Sequence, residues 1–355
     1  MKLSAVTIFV VTTLLAGCAS SNQDAPKATK QAGTATPSTA PAAPTTTLAT
    51  EGRDPAEFPG YVEQLKQQAR SQGIDDSTIN VAFANVHFVD RVIKSDRNQL
   101  EKKITLDDYL TRVLPAWKIK QGQDMYQQYQ TQLMPISERY GVPAQYIVAL
   151  WGMESSFGKI QGKEDVISAL STLAFEGRRE AFFTKELMAA LKIIQQGHVQ
   201  ADQMKGSWAG AMGQSQFMPT SFLNYGSDGD GDGKIDIWTN VSDVFASTAN
   251  YLSTEGWKAG QGWGQEVKLP SGFQPEQAGL KDAQAKTVDQ WRQAGVLQTD
   301  GTALASATTR AWIIMPDDAQ GRAFMVYDNF RTIMHWNRSY YFAISIGMMA
   351  DGITQ

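Results

Sequence analysis

Glu154 is the carboxylate whose setting could do chemistry. It closes the apolar run Pro143-Ala144-Gln145-Tyr146-Ile147-Val148-Ala149-Leu150-Trp151-Gly152-Met153, with Ile147, Leu150, Trp151 and Glu154 at i, i+3, i+4 and i+7. On a helix that spacing is one stripe, so Glu154 extends the face turned to the interior. Desolvation there disfavours the carboxylate. The negative end of the helix dipole adds to this if the helix stops at Ser155-Ser156-Phe157-Gly158. A carboxylic acid kept protonated near neutral pH is what a glycosidic oxygen needs as its proton donor. The plainer alternative is a buried glutamate paired with an arginine, for which Arg178 and Arg179 are available.

A second constellation is acidic. Asp228-Gly229-Asp230-Gly231-Asp232-Gly233-Lys234-Ile235-Asp236 reproduces the first nine positions of an EF-hand loop. Carboxylates stand at positions 1, 3 and 5, Gly233 allows the sharp turn, and Lys234 offers a backbone carbonyl at position 7. Thr239 at position 12 removes the usual bidentate glutamate; the next carboxylate is Asp243. Without a cation the three clustered carboxylates repel one another, so the spacing predicts a structural Ca²⁺ site. No ligand in it suits redox chemistry or activation of a nucleophile.

The elements that must position these residues follow from the rest of the chain. Of 355 residues, 42% are hydrophobic and 19% charged, enough for a sizeable core. Lys and Arg number 32 against 36 Asp and Glu, a net charge of −4 without a basic stripe, which argues against a nucleic-acid partner. A single cysteine excludes an internal disulfide framework, and His87, His198 and His335 are scattered too singly for a multi-histidine metal centre. Residues 1–17 read as a secretory signal, with a basic start, a compact apolar run and small residues before Cys18. Leu15-Ala16-Gly17-Cys18 resembles a bacterial lipobox, which implies cleavage before Cys18, its lipidation, and a place at the periplasmic face of the outer membrane. Residues 18–50, nearly all Ala, Thr, Pro, Ser and Gln, read as a flexible tether. Beyond it, residues 51–137 are expected as an N-terminal helical region and 138–262 as the catalytic core with the acidic loop. Residues 263–327 carry short strand-like runs (267–270, 309–316 and 323–327) and read as a small β-rich insertion. Residues 328–355 return to helix and complete the core.

Gly152-Met153-Glu154-Ser155-Ser156-Phe157-Gly158 resembles the Gly-x-Glu-Ser-x-Phe-Gly motif of the membrane-bound lytic murein transglycosylase B family. Further similar stretches follow in the family's order: 169–175, Gly177-Arg178-Arg179, the run from Gly206 to Pro219, Ala249-Asn250-Tyr251-Leu252, Asp328-Asn329-Phe330 and Asn337. The resemblance implies a mainly α (α+β) fold with a lysozyme-like core. It also implies cleavage of the β-1,4 bond between N-acetylmuramic acid and N-acetylglucosamine in peptidoglycan. The muramoyl 6-hydroxyl closes onto C1 and leaves a 1,6-anhydro end, so one residue serves first as acid and then as base, with no catalytic cofactor.

By the same resemblance, Ser207 and Asn337 lie close to Glu154 and the N-acetyl group, and Gln216 hydrogen-bonds a sugar. Phe217, Tyr251, Trp336 and Tyr341 offer flat faces to pyranose rings. Arg178 and Arg179 meet carboxylates of the peptide stems, and Asp243 completes the cation site. Trp336 stands where the family usually has tyrosine. The implied partners are glycan strands, the outer membrane through the lipid anchor, and cell-wall synthesis proteins as a candidate class. Two alternatives remain open from sequence: a hydrolytic muramidase, for which Glu164 or Asp165 would be the second carboxylate, and a peptidoglycan-binding lipoprotein without catalysis.

Overall fold

The computed structural model describes residues 53–97, 104–318 and 321–355. The signal segment, Cys18 and the tether lie outside them. The N-terminal helical region contains α1 (Phe58–Ser71), α2 (Asp76–Phe83), α3 (Asp90–Arg97), α4 (Leu106–Val113), α5 (Ala116–Gln128) and α6 (Gln130–Tyr140). In α1 the residues Phe58, Tyr61, Val62, Leu65 and Ala69 are buried, one stripe at helical spacing. Asp75 and Thr105 cap α2 and α4 by accepting from Thr78 N and Asp108 N.

The core follows with α7 (Ala144–Ser155), β1 (Glu164–Asp165), α8 (Val166–Glu176), α9 (Glu180–Gln195), β2 (Lys205–Gly206), α10 (Pro219–Tyr225) and α11 (Val241–Thr254). Helix α7 is apolar on every side and buried from Tyr146 to Ser155, as a central helix must be. Helices α5, α6, α11 and α14 (Tyr340–Ile353) pack around it. The approach is close: a Cβ on Gly152 would stand 2.7 Å from both Met349 and Phe157.

A sheet follows, made of β3 (Gly264–Lys268), β4 (Lys286–Thr287), β5 (Leu297–Gln298), β6 (Arg310–Ile314) and β7 (Ala323–Val326). Its order is β4-β6-β7-β3-β5 and its pairs are antiparallel. Within it lies the short α12 (Val288–Gln293), and α13 (Asp328–Trp336) leads out.

The sheet is covered on both faces. Trp312, Ile314, Phe324 and Val326 join the large core that runs through the helices, whereas Ala311, Ile313, Ala323 and Met325 meet Val267, Val288, Trp291, Val296 and Leu304 in a second core. The strand period of two sorts them, and the insertion is thereby packed onto the helical body rather than hung from it. Trp263, whose ring crosses Gly347 and whose indole donates to Asp351 at 2.9 Å, fastens the join.

Candidate active site

Glu154 occupies the last turn of α7 and is 2% exposed. The helix ends there because Ser156 and Phe157 are left-handed, with φ of 50° and 60°, followed by Gly158 at 81°. A Cβ on Gly158 would lie 2.3 Å from the Gln214 side-chain oxygen, so only glycine fits. That oxygen accepts from Trp151 Nε1 at 2.8 Å, and the Gln214 amide donates to the Trp238 carbonyl at 3.0 Å. The Ser155 hydroxyl accepts from Gly158 N at 3.0 Å, and Phe157 N donates back to the Trp151 carbonyl at 3.3 Å. Ser155, Phe157 and Gly158 therefore each take part in stopping the helix one residue beyond the acid.

Glu154 Oε1 accepts from the Trp336 indole at 2.9 Å, and Oε2 is buried without a partner among the described residues. Burial pushes the carboxyl up to about 7, against the opposing pull of the Trp336 hydrogen bond and of the Lys118 charge. The alternative of an arginine pair is excluded by the geometry. Arg178 and Arg179 both reach Asp96, and Arg178 also bonds Glu176 at 2.7 Å.

A cavity of about 240 Å³ opens beside Glu154 and is lined by Gln216, Phe217, Tyr251, His335, Trp336 and Asn337, with Phe182, Glu186 and Thr220 among the rest. Phe217, Tyr251 and Trp336 form one aromatic wall, with Trp336 5.3 Å from Phe217 and 4.7 Å from Tyr251 between ring centroids. Gln216, at φ 49°, donates to the Gly213 and Gln161 carbonyls at 2.8 and 3.1 Å. Its own side-chain oxygen keeps no partner among the described residues. Asn337 is 8% exposed, and its side-chain oxygen is likewise unpartnered.

Four expected site residues do not line the cavity. Tyr341 does not line this cavity; its hydroxyl donates to the Ile104 carbonyl at 2.9 Å and contacts Asp317. Arg178 and Arg179 are held at the start of α9 by their carboxylates, so they are not free cations at the cavity wall. The Ser207 hydroxyl accepts from Ala209 N at 3.3 Å and Ala211 N at 3.1 Å. It shapes the turn that brings Ala209 and Ala211 to the wall, and is not itself a lining residue.

The candidates for a second carboxylate are also engaged. Glu164 pairs with Arg91, while Asp165 caps α8 through Ser168 N at 2.8 Å and lies 3.5 Å from Lys205. Glu186 does line the cavity, and burial raises its pKa, but its two oxygens accept from Thr220 N at 2.9 Å and Thr220 Oγ1 at 2.7 Å. In a broader depression of about 500 Å³, Arg53 is paired with Glu180 at 2.7 Å.

Sequence reasoning missed Glu186, His335 and above all Lys118. Lys118, Gly122 and Met125 form the inner stripe of α5, so a lysine on an otherwise small and apolar face was the available signal. Lys118 is 7% exposed, and burial lowers its pKa to about 8 while the Glu154 charge opposes that fall.

In the acidic loop, oxygens of Asp228, Asp230 and Asp232 lie within 4.8 Å of one another. Asp228 accepts from Gly231 N at 2.6 Å and Gly233 N at 2.8 Å, and Asp232 from Lys234 N at 2.8 Å. Asp243 is outside this trio. Its oxygens accept from Gly229 N and Asp236 N, both at 2.7 Å, tying the two ends of the loop together. Burial, with smaller contributions from Asp230 and Asp228, pushes its carboxyl up to about 6.

The chain is similar to known proteins. The family described as the Transglycosylase SLT domain matches residues 57–351. Membrane-bound lytic murein transglycosylase B of Escherichia coli (strain K12) is 28% identical over 323 residues, which is 85% of this chain and 84% of that protein. SltB3 from Pseudomonas aeruginosa, solved in complex with NAG-anhNAM-pentapeptide, is 43% identical with a TM-score of 0.81 over 84% of this chain and 79% of that one. The Escherichia coli lytic transglycosylase Slt35 in complex with calcium is 26% identical with a TM-score of 0.72, covering 88% and 98%. The fold is accordingly the mainly α, lysozyme-like one with a small sheet, and the chain belongs to the SLT-domain transglycosylase family.

Proposed function

We propose that the protein is a lytic transglycosylase that cleaves the β-1,4 bond between N-acetylmuramic acid and N-acetylglucosamine in peptidoglycan and leaves 1,6-anhydromuramoyl ends. The observation that carries this is one buried carboxyl, Glu154, lifted to about 7 at the mouth of a cavity sized for an amino-sugar ring. The other carboxylate on that wall, Glu186, is consumed by Thr220.

Protonated Glu154 donates its proton to the glycosidic oxygen as the C1–O bond breaks. The muramoyl 6-hydroxyl then bonds to C1, and its proton returns to the Glu154 carboxylate, so the acid is regenerated without water. Trp336 stabilises the transient carboxylate through its indole N–H. The unpartnered Asn337 oxygen accepts from the acetamido N–H, the Gln216 oxygen from a sugar hydroxyl, and Phe217, Tyr251 and Trp336 cover the ring. Digestion of purified sacculi followed by mass analysis of the muropeptides tests the reading. Anhydro ends are expected as the main product; reducing N-acetylmuramic ends would establish hydrolysis instead.

The acidic loop is read as a structural Ca²⁺ site. Its all-oxygen donor set and the convergence of Asp228, Asp230 and Asp232 suit a hard cation, and the Lys234 carbonyl and Asp243 would complete the shell. The ion would screen the mutual repulsion of these carboxylates and fix the loop between α10 and α11. The cellular reading is attachment through lipid on Cys18 at the periplasmic face of the outer membrane, within reach of the wall.

A further inference from the structure

We propose that Lys118 is a positioning residue for the reaction: the counter-charge that holds the Glu154 carboxylate in its ionised interval between proton delivery and proton return. The proposal rests on Glu154 being the acid of the preceding section. Lys118 sits in the first turn of α5 and is 7% exposed, yet its ammonium makes no hydrogen bond or ion pair with any described residue. A cation near a helix N-terminus opposes the helix dipole, and burial without a partner adds a desolvation cost. Glu154 is its mirror image. It is an acid near the C-terminus of α7, buried, with Oε2 unpartnered.

Helices α5 and α7 pack directly together, so these two misplaced charges face one low-dielectric interior and each opposes the other's cost. Neither forms a contact ion pair. That suits an acid that must alternate between states, because a direct bond to an ammonium would hold it permanently ionised.

The remaining groups around Glu154 are few. Trp336 on α13 donates to it, and the Tyr109 hydroxyl on α4 is raised to about 12, by burial first and by the Glu154 charge to a lesser degree. Glu186 on α9, Tyr251 on α11 and His335 on α13 line the cavity. Glu186 and His335 are tied to Thr220 and Glu255. Among the described residues, Lys118 is therefore the cation that acts on Glu154 from the protein side.

The test compares Lys118→Gln and Lys118→Arg, each first shown to be folded by its melting curve. Removal of the charge raises the Glu154 pKa, so in Lys118→Gln the alkaline limb of kcat/KM moves up by roughly one pH unit, whereas Lys118→Arg keeps it in place. A second reading is the infrared carboxyl titration of Glu154, assigned by its loss in Glu154→Gln; it moves by the same amount and does not depend on turnover. A folded Lys118→Gln with both limb and titration unmoved would overturn the proposal, as would an arginine variant that shifts as far as glutamine. Because the titration is independent of product chemistry, it decides for Lys118 even where the muropeptide digest returns reducing ends.

Discussion

Replacing Glu154 by glutamine should abolish turnover and, at alkaline pH, make the protein more stable than wild type. The folded carboxyl lies at about 7 against an ordinary 4.5. A group whose pKa is raised by folding contributes stability that is fully present below about 4.5 and lost as pH climbs through about 7. Above that, wild type must keep a buried carboxylate with one unpartnered oxygen, and the variant a neutral amide of the same shape. At 1.36 kcal/mol per pH unit the gap between 4.5 and about 7 makes the swing about 3 kcal/mol in favour of the variant. With an unfolding entropy near 0.6 kcal/mol per kelvin for roughly 300 ordered residues, that is about 5 °C in Tm. Melting curves of both proteins from pH 4 to pH 8 read it directly. The difference should be small at the acid end and open across the window. A Tm difference that stays flat with pH would refute the reasoning, because it would mean that Glu154 titrates alike in the folded and unfolded chain.

Trp336→Phe keeps the aromatic wall and deletes the indole donor at 2.9 Å. A hydrogen bond to a charged acceptor is worth about 1.5–3 kcal/mol, so the alkaline limb of kcat/KM should rise by about one to two pH units, and an unmoved limb would count against the contact. A chelator should lower the melting temperature of wild type and Ca²⁺ should restore it, by about 2.7 kcal/mol at a hundred times the dissociation constant; Asp228→Ala should abolish the response. That response should fade as pH falls through about 6, where Asp243 takes up its proton. Equal melting in chelator, Ca²⁺ and Mg²⁺ would make the loop a turn and nothing more. Cys18→Ala should release a soluble form into the periplasm, and unchanged membrane fractionation would argue against the lipid anchor.

What the sequence disclosed depended on how local the cause is. The placement of Glu154 at the end of α7 was legible because an apolar stripe of period 3.6 and a Ser-Ser-Phe-Gly stop lie within a dozen residues of each other. The carboxylate trio was legible for the same reason: alternate aspartates with a glycine at the turn converge whatever surrounds them. The pairing of Arg178 and Arg179 with Asp96 was not legible, because Asp96 is about eighty residues away in sequence. Tyr341 was assigned to sugar stacking on its aromatic character, and its hydroxyl contact with Asp317 cannot be read from spacing. The sheet was recognised, but not that both its faces are covered. Alternation in Trp312-Ile313-Ile314 is masked when each face meets an apolar core. Lys118 was visible only as an odd residue on an inner stripe, since its counterpart belongs to another helix.

The residues that never touch a substrate explain why the motif around Glu154 is so long. An acid in the last turn of a helix frays into water unless something stops the chain abruptly and then covers it. Ser156 and Phe157 accept left-handed backbone that costs about 1–3 kcal/mol each, and they hold it because the surroundings leave no alternative. Phe157 packs 5.4 Å from Trp151 between ring centroids, and Gly158 admits the Gln214 side chain that secures the Trp151 indole. Gln214 is in turn bound to the Trp238 carbonyl, at the far end of the acidic loop. The loop, the glycine-rich turn and the helix end thus share one chain of hydrogen bonds, in which Asp236 and Asp243 fix the loop and Gln214 fixes the helix stop. The left-handed helix stop beside the acid is thereby joined to the loop through Gln214. An ion bound there would therefore act on the geometry of Glu154 through backbone and amide contacts, without approaching the bond that breaks.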